Sequence, residues 1–252
     1  MTGSRWQAAI LDVVRGEGRA TIAGLAESLS VSGETIRRHI RPLVDDGLLI
    51  RSHGEVALAG AEPPFQRRMA VRAAAKRAIA RAVAARVPDG SVVMLDTGST
   101  TVFVAEELAA RQGLTVVTNA IEIARPLVGR NGHRVYIAGG EIRPDLGAVV
   151  GAEALAFIGQ FRADVAVLSA GGVDAAHGVA DFHLDEARVA QAMLARSGRT
   201  IVAVDRAKFD QTAAVPVCPL AALAALVTDA PPPEAAAEAL AEAGVELVLA
   251  SE

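Results

Sequence analysis

The sequence predicts an α/β protein in two parts: a small N-terminal unit of three helices with a β-wing, then a larger domain whose strands and helices alternate. Three observations predict it. Apolar residues recur at helical spacing between glycine breaks in residues 5–41. Continuous apolar runs alternate with helical patterns after residue 90. In that second part the polar, glycine-bearing turns follow the strands.

Composition bounds the reading. With 252 residues, 52% of them hydrophobic, the chain is long enough for two cores and too apolar for general disorder. A net charge of −4 gives no global sign of nucleic-acid binding, so such a function has to rest on where the charges sit. The single cysteine, Cys218, has no intramolecular disulfide partner and, between Pro216 and Pro219, no activating neighbour in sequence. The first residues lack the apolar core of a signal peptide, and charges, Gly or Pro interrupt every apolar run well short of the roughly 20 residues that span a bilayer. A reducing, cytoplasmic setting without membrane contact is expected.

Residues 5–14 place Trp6, Ala9, Ile10, Val13 and Val14 at helical spacing, and the stretch from Gly16 to Gly18 ends that helix. Thr21 is an N-cap for a second helix over 22–29, and a third starts at Ser32 and runs through Arg41. On its wheel Ile36, Ile40, Leu43 and Val44 share one face, which leaves Glu34, Arg38 and Arg41 opposite and Thr35 and Arg37 on the flanks. Pro42 is an oddity there, because proline removes a helical hydrogen bond at about 3 kcal/mol in a regular helix. Past Gly47, residues 48–51 and 55–58 read as two strands joined through Ser52, His53 and Gly54.

Seven basic residues meet seven acidic ones in the first sixty, so position, not net charge, carries the function. A third helix in a major groove would bring Ser32, Glu34, Thr35, Arg37, Arg38 and Arg41 to phosphates or base edges. Arg51 and His53 on the wing would reach the adjacent backbone. The plain alternative is a solvated arginine face on an ordinary helix.

Residues 59–64 are small, bear Gly and Pro, and read as a hinge. The domains are therefore expected at 1–60 and 76–252, with 61–75 as linker and start of a connecting helix. That helix is expected over 65–86, with Val71, Ala75, Ala78, Ile79, Ala82 and Val83 at helical spacing. Arg67, Arg68, Arg72, Lys76, Arg77 and Arg81 occupy the rest of the cylinder and read as solvated charges.

Strands then read over 91–96, 114–118, 134–138, 164–170, 200–204, 224–228 and 246–249, with helices over 102–110, 120–128, 184–196 and 233–243. Such alternation argues for a mostly parallel, Rossmann-like sheet covered on both faces, whose ligands gather at the carboxyl ends of the strands. Five polar turns fall at those ends: 96–101, Thr118-Asn119, Gly139-Gly140-Glu141 with Arg143, Ala170-Gly171-Gly172 with Asp174, and 205–208.

The first turn has the outline of a phosphate cradle. A helix start offers unpaired N–H groups and the positive end of its dipole, Thr97, Ser99, Thr100 and Thr101 add hydroxyls, and Gly98 allows close backbone approach. Lys208 or Arg143 supplies a charge partner, while Asn119, Asp96, Asp174 and Glu186 can take sugar hydroxyls. Singly, each has a plainer explanation as cap, turn or solvent-facing charge.

The motifs together resemble the DeoR family of bacterial transcriptional regulators over nearly the whole chain. In the first part these are Leu25-Ala26-Glu27-Ser28-Leu29-Ser30-Val31-Ser32, Thr35-Ile36-Arg37-Arg38, and Leu43 to Gly47 with Leu49, Arg51, His53 and Gly54. In the second they are Lys76-Arg77 with Ile79-Ala80, Leu95 to Thr101, Val117-Thr118-Asn119, Gly139 to Arg143, Gly178, and Asp205-Arg206-Ala207-Lys208-Phe209. The chain departs from the family pattern at His39-Ile40, at Gly54-Glu55 in the wing, and from Gly178 through Asp181 and Phe182 to His183.

The resemblance implies a winged helix-turn-helix joined to a sensor domain related to ribose-5-phosphate isomerase. It implies binding of operator DNA and of a phosphorylated sugar, and regulation of a carbohydrate operon, usually as a repressor. Symmetric homo-oligomers would present paired arms to operator half-sites. No cofactor is implied. The main alternative is a sugar-phosphate isomerase with an appended DNA-binding arm, in which Asp96, Asp174, Glu186 and Lys208 take acid–base parts. The cluster His177, Asp181, His183, Asp185 and Glu186 matches no metal-ligand spacing, so no metal is expected.

Overall fold

A computed structural model describes residues 5–45, 48–52, 54–58 and 65–251. The chain divides into two compact units, Met1–Pro64 and Phe65–Glu252, so the described part of 61–75, expected as connection, belongs to the larger unit.

In the small unit α1 (Arg5–Glu17), β1 (Arg19–Thr21), α2 (Ile22–Ser28), α3 (Gly33–Asp45), β2 (Leu49–Ser52) and β3 (Glu55–Leu58) follow one another. Ile10, Val14, Leu25, Ile36, Ile40, Leu43, Leu49 and Val56 form its core, as the helical wheels require. Thr21 caps α2 by accepting from the Gly24 N–H at 2.9 Å, and the Ser32 hydroxyl accepts from the Thr35 N–H at 3.2 Å at the start of α3. Pro42 lies inside α3 without ending it; it withholds one N–H from the Arg38 carbonyl in the last turns. The wing has a third strand that the sequence reading lacks: β1 pairs antiparallel with β3, which pairs with β2. Three residues of β1 show no periodicity of their own, and Arg19 reaches Glu55 across the pair at 3.2 Å.

In the larger unit the single helix expected over 65–86 is two helices, α4 (Phe65–Ala70) and α5 (Ala73–Ala84), broken where Arg72 adopts a left-handed backbone, φ 54° and ψ 35°. A long-range tie, described below, overrides local periodicity there.

The chain continues as β4 (Val92–Leu95), α6 (Ser99–Leu108), β5 (Thr115–Thr118), α7 (Ile121–Ala124), β6 (Arg134–Ile137), β7 (Ile142–Arg143), β8 (Ala148–Val149), α8 (Ala152–Ile158) and β9 (Ala163–Leu168). It ends as β10 (Gly172–Asp174), β11 (Gly178–Asp181), α9 (Leu184–Ala195), β12 (Ser197–Ala203), a 3₁₀ turn (Arg206–Asp210), β13 (Val215–Cys218), β14 (Ala225–Thr228), α10 (Glu234–Glu242) and β15 (Glu246–Leu249). The helix expected over 120–128 shrinks to the four residues of α7.

Seven strands form one parallel sheet in the order β15-β14-β12-β9-β4-β5-β6. Alternate strand residues face opposite layers. Val93, Leu95, Val165 and Ile201 pack with Ile79, Val83, Phe103 and Leu108 of α5 and α6, whereas Met94, Ala166, Leu168 and Val202 pack with Ile158, Met193 and Leu240 of α8, α9 and α10. The chain adds β5 and β6 on one side of β4, then returns to add β9 and the rest on the other. The connections therefore reverse between β4 and β9, and an open parallel sheet leaves a crevice at that point.

A small antiparallel sheet β10-β11-β13 and the hairpin β7-β8 were not foreseen. Their strands are two to four residues long, β13 contains Pro216, and it pairs with a strand more than thirty residues earlier, so no local pattern announces them. No helix of the described residues is long and apolar enough to cross a membrane.

Candidate functional site

Two sets of residues are described, each within its own unit. On the small unit, α3 turns Ile36, Ile40 and Leu43 inward and leaves Arg37, Arg38 and Arg41 exposed. Arg37 pairs with Glu34 one turn back at 3.4 Å, and Ser32 and Thr35 share a hydrogen bond at 2.9 Å. Arg38, Arg41 and Arg51 have no ion pair among the described residues. With Glu34, Arg37 and Asp45 they line an open groove of about 520 Å³ between α3 and β2. His53, expected to contact DNA, lies outside the described residues.

On the larger unit, the strand-end turns share one edge because the seven strands are parallel. The turn between β4 and α6 lies at the switch point, and hydrogen bonds fix several of its side chains. Asp96, 4% exposed, turns both carboxylate oxygens onto the Ser169 N–H at the end of β9, at 3.0 and 2.9 Å. Burial pushes its carboxyl up to about 8, against the opposing effect of the Ser169 hydrogen bond, and the nearby Asp181 charge raises it further. Asp96 is thus a neutral clamp across β4 and β9 at neutral pH, and its oxygens are already engaged.

Gly98 is needed for a different reason from the one expected. Its backbone is extended, and a Cβ would stand 2.1 Å from Ser169 Oγ and 2.6 Å from Ser169 Cβ, so close approach of β9 demands glycine. Thr101 donates to the carbonyls of Asp96 and Gly98 at 2.9 and 3.0 Å, and Thr97 donates to Asn119 Oδ1 at 3.3 Å. Asn119 donates in turn to the Val149 carbonyl at 2.8 Å, while Thr118 accepts from the Ala120 N–H at 3.2 Å. These side chains build the cradle wall.

Ser99 and Thr100 occupy the first turn of α6, both buried. Ser99 Oγ accepts from Lys76 Nζ at 2.9 Å, and Lys76, only 3% exposed, also donates to the Arg68 carbonyl. Lys76 is thus not the solvated charge expected from the sequence. Its spacing to Ile79, Ala80 and Val83 places it on the buried face of α5, a signal available from the wheel.

The remaining candidates divide. Gly139 and Gly140 are exposed after β6, Gly140 at φ 139° with Val149 beside it. Arg143 hydrogen-bonds to Asp145, which raises its guanidinium and holds the Asp145 carboxyl below the usual range, and it lies 4.0 Å from Asp185. Glu186 is buried in the first turn of α9, and Lys208 is half-buried in the 3₁₀ turn. Asp174, expected to take sugar hydroxyls, closes its own hairpin turn by accepting from the Ala176 and His177 N–H groups at 2.8 and 2.9 Å, which hold its carboxyl low. Ser169 was missed, since one serine after an apolar strand carries no signal. Burial in apolar surroundings pushes the Cys218 thiol up to about 11.

Residues 71–230 match the family described as the DeoR C terminal sensor domain, and residues 7–60 match the DeoR-like helix-turn-helix domain. The chain is 34% identical over 242 residues to the glycerol-3-phosphate regulon repressor of Escherichia coli (strain K12), which covers 95% of this chain and 96% of that protein. It is 32% identical over 254 residues to the HTH-type transcriptional repressor CsqR of the same organism, covering 100% and 97%. A D-ribose-5-phosphate isomerase in complex with phospho-erythronic acid is similar at 20% identity and a TM-score of 0.38, over 53% of this chain and 52% of that one. The isomerase alternative is not favoured, since the relatives are named as transcriptional repressors. The chain belongs to the DeoR family and is a DNA-binding transcriptional regulator, not an enzyme, with a helix-turn-helix domain ahead of a sensor domain.

Proposed function

We propose that the protein is a cytoplasmic repressor that works as a homo-oligomer and whose operator affinity is set by a phosphorylated sugar or sugar derivative at the β4–β9 strand ends. One observation carries the sensor reading: a buried lysine, Lys76, touches Ser99 at the N-terminus of α6. An ammonium, a hydroxyl and the N–H groups of a helix start brought to one point are the donor set that an anion takes. Asp96 supports the reading, because a carboxyl held neutral by burial does not repel a phosphate. Lys208 adds a cation from the 3₁₀ turn, and Ser99 and Thr100 supply hydroxyls.

The relatives named as glycerol-3-phosphate regulon repressors suggest a small phosphorylated polyol as first probe. On the other unit, Arg37, Arg38 and Arg41 on α3 read the major groove while Arg51 meets the backbone. Ligand binding changes operator affinity only by as much as it prefers one arrangement of the protein, typically about 1 to 3 kcal/mol.

A thermal-shift screen of glycerol 3-phosphate, ribose 5-phosphate, glucose 6-phosphate and fructose 6-phosphate tests the sensor. At least one should raise the melting temperature in the wild type and fail to do so in Lys208→Ala. The same stabilisation by inorganic sulfate, or an unchanged response in Lys208→Ala, counts against a sugar-phosphate site there.

A further inference from the structure

Between α4 and α5 the larger unit breaks a helix whose apolar spacing runs on from residue 65 to 86. Arg72 holds the break. A left-handed backbone is unfavourable for a residue with a Cβ, yet here the guanidinium spans two carboxylates, with Nε 3.1 Å from Asp205 and Nη2 2.7 Å from Asp229. Both carboxylates are mostly buried. Both also hold the first turn of the 3₁₀ segment that carries Lys208: Asp205 accepts from the Ala207 N–H at 3.0 Å and Asp229 from the Arg206 N–H at 2.7 Å.

We propose that Arg72 is a latch that keeps α4 and α5 as two helices while the Lys208 turn is in place, and lets them join into one helix when that turn shifts. The reading of Lys208 as part of a sensor supplies the trigger, and the proposal rests on it for that step only. Two packings of residues 65–86 are available: the broken one seen here, stabilised by ion pairs from Arg72 to two carboxylates, and the continuous one that the sequence pattern favours. A ligand that draws Lys208 moves Asp205 and Arg206 with it and removes the reason for the break. Because α4 is the first helix after residues 59–64, its direction carries the state of the strand-end edge toward the DNA-binding unit. Arg72 is a positioning residue and need not touch the ligand.

Hydrogen exchange on the full chain reads the two states directly. Ala73, Ala74 and Ala75 open α5, so their N–H groups have no helical partner in the broken form and gain one in the continuous form. In Arg72→Ala the ion pair is gone and the left-handed backbone is disfavoured, so exchange at these three amides should slow about tenfold. Asp229→Asn should slow it in the same direction. Arg72→Gly also removes the ion pairs and should slow exchange in the same direction, by less than Arg72→Ala because glycine disfavours the helix. Equal exchange in wild type and Arg72→Ala overturns the latch.

Operator binding supplies the second arm, with glycerol 3-phosphate and ribose 5-phosphate as probes. In Arg72→Ala either probe should bind more tightly than in wild type by calorimetry, because the state it selects is already populated, while its effect on operator affinity falls at least fivefold. A full effect in Arg72→Ala overturns the coupling. If neither probe binds the wild type, the sensor reading fails for these ligands, and the exchange arm still decides the latch.

Discussion

The two candidate regions are built on opposite principles. On α3 the residues assigned to DNA are exposed, and Arg38, Arg41 and Arg51 have no ion pair among the described residues. At the β4–β9 edge the candidates are buried and bonded to one another: Asp96 to Ser169, Thr97 to Asn119, Ser99 to Lys76. A partner as large and charged as DNA is met by side chains kept free on a surface, whereas a small ligand needs a pocket whose shape is fixed beforehand. Substitutions should therefore separate cleanly, with the arm losing affinity without stability and the cradle losing stability together with ligand response.

The largest expected effect is one of pH. Asp96 is raised to about 8 in the folded protein from an ordinary value near 4, so between those values the native state holds a proton that the unfolded state has released. Its contribution to stability is complete below pH ~4 and is lost as pH rises through about 8, with a slope of up to roughly 1.4 kcal/mol per pH unit. Asp96→Asn should flatten that slope in urea titrations of the larger unit, and an unchanged slope would show that Asp96 is ionised when buried. Next comes Gly98→Ala, whose Cβ would collide with Ser169 and should destabilise the larger unit by about 3 kcal/mol. No change in its urea midpoint would mean that β9 is free to retreat.

Arg38→Ala should weaken operator binding by about 2 kcal/mol at constant salt and leave the melting temperature within 1 °C or so of wild type. A fall in stability of the same size would erase the contrast between the two regions. The smallest effect belongs to Arg51→Ala, which as the proposed backbone contact should lower the slope of log affinity against log salt by about 0.9.

How much of this was legible follows the same contrast. The arginine face of α3 was readable because a helical wheel separates inside from outside within thirteen residues. The parallel sheet was readable from its apolar runs, and with it the edge on which the polar turns meet. Which of those polar residues build the wall and which remain for a ligand was not readable. Asp96 meets a backbone N–H 73 residues away, and Asp174 closes a hairpin turn that belongs to an unforeseen sheet. Arg72 breaks a regular helix for carboxylates at 205 and 229, and no local pattern encodes that tie. Lys76 was within reach, since its spacing to Ile79 and Val83 already put it inside.

The central claim is a division of labour between an exposed reader and a buried sensor linked through one chain. Operator affinity measured at one salt concentration, with and without a saturating sugar phosphate chosen by the thermal screen, tests it most directly in wild type, Arg38→Ala and Lys208→Ala. Arg38→Ala should weaken binding in both conditions and keep the ratio between them, while Lys208→Ala should keep the unliganded affinity and lose the ratio. Both variants losing affinity and ratio alike would contradict that division.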